Sequence, residues 1–299
     1  MVPRMTDNLR GILAILTAST AYVLHDSMAK LLSEELPLGE VIIVRGIIGN
    51  AMLIAGVYIL RATRPLKVLF EPMMLVRLLA TGGASLFIIT SLSYLPLPTV
   101  TTVLQATPLF VTAGAALLYR DAVGWRRWTA VLVGFLGVVL IVRPGAGFGG
   151  VGYIVLLALL CTTTRDLSMR GIPKDIPSVF VAAASSVVST LSGVVMLPFD
   201  AAWTVPSAWA WTLMIVSSAF LFVATVFMTV GLRTGEIAVV APFRYVPVPL
   251  AVLLGYWLWG DLPDWFAALG IALVLGAGLY TLHRERASLR RVRVVETAE

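Results

Sequence analysis

Charge is the scarcest commodity in this chain. Only 13% of its 299 residues are Asp, Glu, Lys or Arg, and its mean hydropathy is +0.94. A soluble domain carries about 25% charged residues, so a water-exposed globular fold is excluded. Cysteine is nearly absent. The single thiol, Cys161, rules out an intrachain disulfide and a thiolate metal cluster. Histidine occurs twice, at 25 and 283, which excludes an H-E-x-x-H zinc site. The glycine-rich stretch 145–152 has no Gly-Lys-Ser/Thr, so it is no phosphate-binding loop. No Ser-His-Asp set falls at a common depth. An enzyme is therefore not expected, and neither is a cofactor or a metal. The net charge of +6 resides in short loops between apolar runs, which argues for membrane topology rather than nucleic acid.

What the chain has in abundance is apolar runs. Stretches at 10–32, 39–60, 73–94, 97–118, 126–143, 150–171, 177–198, 207–231, 236–258 and 265–283 each approach the ~20 residues that cross a bilayer as a helix. The first is read as an uncleaved span, since Arg4 and Arg10 precede it but no small-residue cleavage pattern follows. Alternate connections hold Arg61, Arg64 and Lys67, then Arg120, Arg126 and Arg127, then Arg170 and Lys174, then Arg233. The opposite set holds only Arg143, with Glu34, Glu35, Asp200, Asp261 and Asp264. By the positive-inside rule both termini are cytoplasmic, and the basic tail 284–299 lies against an anionic leaflet. The eight tryptophans cluster near span ends as interfacial anchors.

The chain also repeats itself. Asp26, Lys30, Pro37, Asp121 and Trp125 match Asp166, Arg170, Pro177, Asp261 and Trp265, all at an offset of 140 residues. The repeat units are 10–143 and 150–283. Five spans per unit is an odd number, so the second unit enters the membrane upside down. The expected fold is all-α membrane, ten transmembrane helices in two inverted five-helix repeats. Such a pair supports two related conformations with a site between the halves.

Five basic residues fall inside spans: Lys30, Arg45, Arg77, Arg165 and Arg244. Each costs at least ~2.5 kcal/mol at a helix centre and is a functional candidate. Arg77 lies one turn from a span end and is expected to snorkel outward. Asp26 and Lys30, four apart on one helix face, read as a structural ion pair, repeated at Asp166 and Arg170. A second reading gives Asp26 a coupling proton, tuned by His25. Five basic residues against the acids Asp26 and Asp166 leave positive charge over, which suits an anionic or zwitterionic ligand.

The segment 241–249, Ala-Pro-Phe-Arg-Tyr-Val-Pro-Val-Pro, has three prolines and cannot stay regularly helical. Its partner in the first half is Gln105-Ala106-Thr107-Pro108, with Gln105 at the position of Arg244 after a one-residue shift. Broken helices at membrane depth line cavities. Arg244, Tyr245, Gln105, Arg45, Arg165 and Tyr22 are therefore the candidate substrate contacts, and Tyr22, Phe243 and Tyr245 suit a planar ligand. The repeat fails at Gln105 against Arg244 and at Arg45 against Ser185, where a site for an asymmetric ligand belongs.

Residues 10–283 resemble the drug/metabolite transporter superfamily, EamA type. The resemblance lies in the proline-bearing fourth span followed by Tyr-Arg-Asp, in Gly-Val-Val-Leu-Ile-Val-Arg-Pro-Gly (137–145), in Gly-Glu-Ile-Ala-Val-Val-Ala-Pro-Phe-Arg-Tyr (235–245) and in Gly-Asp-Leu-Pro-Asp (260–264). Asp121 and Asp261 stand where the family commonly has Glu. Asp26 with Lys30, Arg45, and Arg165-Asp166 with Arg170 are similar to a bacterial branch that includes amino acid exporters, S-adenosylmethionine carriers and riboflavin importers. The resemblance implies secondary transport in the bacterial inner membrane without ATP. A small-molecule substrate is expected, most simply an amino acid or related carboxylate-bearing compound. A lipophilic-cation exporter, a riboflavin or S-adenosylmethionine-type carrier, and a non-transporting scaffold or sensor are the alternatives. Monomer and homodimer both fit.

Overall fold

The computed structural model describes residues 5–120, 124–143, 150–173, 175–234 and 237–296. They form an all-α membrane protein, with no strand among the described residues. The first half comprises α1 (Met5–Glu35), α2 (Leu38–Ile59), α3 (Pro72–Tyr94), α4 (Leu97–Gln105), α5 (Thr107–Leu118) and α6 (Trp125–Val142). The second comprises α7 (Val151–Ser168), α8 (Ser178–Met196), α9 (Ala208–Thr234), α10 (Ile237–Val240), α11 (Pro247–Trp259) and α12 (Trp265–Glu296). Proline sets many of the starts: Pro37, Pro96 and Pro177 cap α2, α4 and α8 from outside, where the missing N–H costs nothing.

Among the described residues, nine helical segments are long and apolar enough to cross a bilayer, with α4 and α5 forming one of them. The tenth expected span, 236–258, is not a single helix. It runs as the four-residue α10, a 3-10 turn at Ala241–Tyr245 and then α11. Pro242, Pro247 and Pro249 remove the amides that a continuous helix needs there. The fourth span breaks at the matching place, between Gln105 and Thr107, ahead of Pro108.

The packing maps onto itself when the halves are exchanged. The α1–α9 contact has its counterpart in α3–α7, and α2–α9 has its counterpart in α3–α8. The α2–α8 and α6–α12 contacts join equivalent helices directly, and the α4–α11 contact joins the two broken spans. Two of these approaches are glycine-to-glycine. A Cβ on Gly193 would stand 2.9 Å from the Gly39 carbonyl oxygen, and one on Gly137 would stand 2.8 Å from that of Gly270. Small residues let backbones close in this way without a side chain between them.

The α2–α8 pair is packed toward both ends, with Val57 against Ala183 at one of them, and leaves a gap at Gly49. It is closed at Gly39 and Gly193 and still tight where Gly46 meets Thr190. At Gly49 a Cβ would touch nothing within 4 Å, and at Gly56 the nearest atom is 4.0 Å away. The largest apolar core lies toward the Gly39 end, built from Leu92, Leu95, Leu97, Val142, Val155 and Ala251 with their neighbours. Opposite it, the bundle opens toward the end where α1 begins and α12 leaves.

Candidate functional site

A cavity of about 700 Å³ lies at this gap and reaches the two helix breaks. Its wall includes Tyr22, His25, Asp26, Arg45, Gln105, Arg165, Asp166, Arg244 and Tyr245. All six candidate substrate contacts and both proton-coupling candidates therefore face one space. Asp166 faces it as well. Lys30 and Arg170 do not line it. The wall reaches Thr112, Met228, Thr281 and Leu282 near the helix ends on the side of the chain termini, so the cavity opens that way.

The two helix breaks meet in this wall. The Gln105 side-chain amide donates to the main-chain carbonyl of Arg244, joining the end of α4 to the turn before α11. The guanidinium of Arg244 is exposed in the cavity and has no ion pair within 4.0 Å among the described residues. Tyr245 is buried beside it, its ring occupying the space left by Gly278 on α12.

Arg45 is only 8% exposed. Its Nη2 donates to His25 Nε2 at 2.6 Å, and its Nε is buried with no partner. An arginine is always a donor, so Nε2 of His25 accepts. The His25 Nδ1 lies 2.9 Å from the Ser217 carbonyl oxygen, which requires a proton on Nδ1. His25 is thereby fixed as the neutral Nδ1–H tautomer bridging Arg45 to α9. Ser218 ties the same contact from the other side, donating to the Arg45 carbonyl at 3.2 Å. Asp26, on the next residue, lines the cavity within the field of Arg45 and makes no hydrogen bond among the described residues. Adjacent helix residues diverge by about 100°, which separates the two roles: His25 positions Arg45, and Asp26 presents a carboxylate to the cavity.

The expected ion pairs are rearranged. Lys30 does not pair with Asp26. Its Nζ donates to the carbonyls of Leu95 at 2.7 Å and Leu92 at 3.2 Å, at the end of α3. The Trp259 ring covers it with its centroid 5.2 Å away. The C-terminal carbonyls of a helix attract a cation as a carboxylate would, and they lie within reach where Asp26 does not. Asp166 pairs instead with its neighbour Arg165, at 2.9 Å. The guanidinium of Arg170 lies over Tyr119, 5.9 Å from the ring centroid. Arg77 does not snorkel outward. It reaches across to α7 and donates to the Arg165 carbonyl at 2.7 Å. Trp259 also departs from the expected lipid anchor, since its indole N–H donates to Glu34 at 2.5 Å. Asp121, Lys174, Gly235 and Glu236 lie outside the described residues.

Several cavity residues carried no signal in the sequence. Thr101 is 6% exposed, lines the cavity and has an unpartnered hydroxyl. Thr81, Ser85, Ser186, Ser189 and Thr190 give the wall between α3 and α8 a hydroxyl face. Hydroxyls are common on membrane helices, and only the rotation of each helix shows which ones meet the cavity.

Residues 9–143 match the EamA-like transporter family. The chain is 28% identical to a riboflavin transporter of Rhizobium johnstonii, over 66% of its own length and 65% of that protein. It is 26% identical to a riboflavin transporter of Vibrio cholerae, covering 95% of this chain and 97% of that one. It is 23% identical to an S-adenosylmethionine uptake transporter of Rickettsia prowazekii, covering 94% and 95%. A crystal structure of a protein 21% identical has the same fold, with a TM-score of 0.57 over 95% of this chain and 99% of that chain.

Proposed function

From a chain of EamA type, in the drug/metabolite transporter superfamily, we infer a secondary transporter that moves a small anionic or zwitterionic organic metabolite by alternating access. The halves 10–143 and 150–283 act as inverted repeats, and the ligand binds between them near the helix breaks. One observation carries the reading. Arg45 and Arg244 face one cavity inside the membrane with no ion pair within 4.0 Å among the described residues. A guanidinium at that depth has a strong demand for an anion. Arg165 has already spent its charge on Asp166. A carboxylate-bearing compound, such as an amino acid or an amino acid derivative, meets the demand of the other two.

The relatives named above transport riboflavin and S-adenosylmethionine rather than free amino acids. That supports a second, larger ligand class. S-adenosylmethionine keeps a methionine carboxylate for an arginine, and a planar ring system suits Tyr22 and Tyr245 on the cavity wall. A volume of about 700 Å³ accommodates either class.

The excess of Lys and Arg in the connections on the side of the termini puts that side in the cytoplasm. The conformation described is then open to the cytoplasm. In this reading Asp26, on the cavity wall, exchanges a proton during the ligand cycle, while His25 holds Arg45. The test is uptake and efflux by proteoliposomes under an imposed pH gradient, over a panel of amino acids, S-adenosylmethionine and riboflavin. Arg244→Ala lowers transport by about 10- to 100-fold, the worth of a charge-assisted hydrogen bond. Equal transport by wild type and variant across the panel removes Arg244 from the site.

A further inference from the structure

We infer that the space bounded by α2, α3 and α8 is a subsite for a hydroxylated part of the transported anion, with Arg45 on its anionic group. The inference rests on the anionic reading of the cavity given above.

The space lies at the gap that α2 leaves toward α8. Gly49 lines it, and a Cβ there would meet no atom within 4 Å. One turn earlier Gly46 packs against Thr190, so α2 and α8 touch just beside the opening. Arg45 stands at that junction, 8% exposed, with its Nε unpartnered. Across from α2 lie Ser186 and Ser189 on α8, one turn apart, and Ser85 on α3.

The behaviour of the hydroxyls identifies the ligand. A serine or threonine in a membrane helix ordinarily satisfies its hydroxyl on a carbonyl three or four residues back. Their neighbours do so here. Thr81 donates to Arg77, Thr190 to Ser186 and Ser192 to Ser189. The hydroxyls of Ser85, Ser186 and Ser189 make no hydrogen bond among the described residues, although all three residues line the cavity. Hydroxyls left open within the membrane favour a polar occupant over an apolar one, which would bury them unpaired. A cation is disfavoured by Arg45 beside them. A neutral group that both donates and accepts is what remains, and several hydroxyls on one chain or ring present such groups at the spacing of successive helix turns. The unpartnered, 6% exposed Thr101 adds another open hydroxyl to the same cavity.

The probes are gluconate and hexanoate, two six-carbon carboxylates that differ in their hydroxyl groups. Equilibrium binding is measured on the full chain in nanodiscs. The wild type binds gluconate about 10-fold tighter than hexanoate, the worth of one to two net hydrogen bonds. In Ser186→Ala/Ser189→Ala the preference drops below about twofold, and Ser85→Ala, on a different helix, lowers it independently by a smaller factor. Equal binding of the two probes by wild type overturns the subsite while leaving the anionic cavity standing. A preference that survives in both variants overturns it as well. Failure of both probes to bind overturns the anionic reading itself, and the subsite falls with it.

Discussion

Lys30 and Arg170 occupy the same position of the repeat at opposite ends of the bundle, and they are in different states. Each lies over an aromatic ring supplied by the other half. Lys30 is over Trp259 and Arg170 is over Tyr119, and those aromatics are also 140 residues apart. Lys30 is 8% exposed and holds two carbonyls at the end of α3. Arg170 is exposed, and the bundle is open on its side. One motif, written twice, is thus buried at one end of the bundle and exposed at the other. The contrast teaches that the burial belongs to the cation and its aromatic together with the helix end beneath them. The largest apolar cluster lies near Lys30, and a smaller one built on Met74, Leu78, Ile172 and Ile176 lies near Arg170.

The strongest way to break this comparison is to remove both cations in turn. Lys30→Met keeps the side-chain length but leaves the Leu92 and Leu95 carbonyls without their donor. Transport falls at least about 10-fold and stability by about 2 kcal/mol, the penalty for orphaned buried acceptors. Arg170→Met costs less than half as much stability, because in this conformation the guanidinium is exposed. Thermal unfolding in detergent compares the two, and equal losses would abolish the distinction between the ends.

The second test probes the α2–α8 contact and the gap beside it. Gly193→Ala forces a methyl to within 2.8 Å of Ile43 and 2.9 Å of the Gly39 carbonyl oxygen. Overpacking of this kind costs about 1–3 kcal/mol. Gly49→Ala meets open space and changes folding stability by no more than ~1 kcal/mol, in the stabilising direction expected of Ala in a helix. Unfolding midpoints that move together in the two variants mean that there is no gap at Gly49.

The smallest effect concerns a second fastening at the Lys30 end. Arg143 at the end of α6 pairs with Asp264 ahead of α12. The hydrogen bond from Arg143, helped by the Ala267 amide, holds the Asp264 carboxyl below its ordinary value. A lowered carboxylate pKa contributes stability above the unfolded value near ~4 and loses it as pH falls through the folded value. Asp264→Asn therefore flattens the acid limb of the stability profile and leaves neutral pH nearly unchanged, since an exposed pair is worth little. A variant curve steeper than wild type below pH ~4 contradicts this.

Much of this was legible in the residues, and the gaps have a common cause. The breaks at Pro108 and Pro247 could be placed because proline acts locally, on the backbone of its own turn. The cavity contacts Arg45, Arg165 and Arg244 could be singled out because charge is costly anywhere at that depth. The partners of those charges were not readable. Lys30 took two carbonyls over Asp26, and Asp166 took the adjacent Arg165, because a long flexible cation reaches any acceptor within several ångströms. The hydroxyl wall was hidden for a different reason. A membrane helix is apolar on nearly every face, so hydrophobic periodicity does not report its rotation.

The bond between Gln105 and the carbonyl of Arg244 has one further consequence. After the one-residue shift these are equivalent positions of the two halves. Equivalent points that touch each other must lie where the axis relating them passes. Points on an axis do not travel when everything around them turns. On the alternating-access reading proposed above, this tie is a pivot, held while the two halves turn about it.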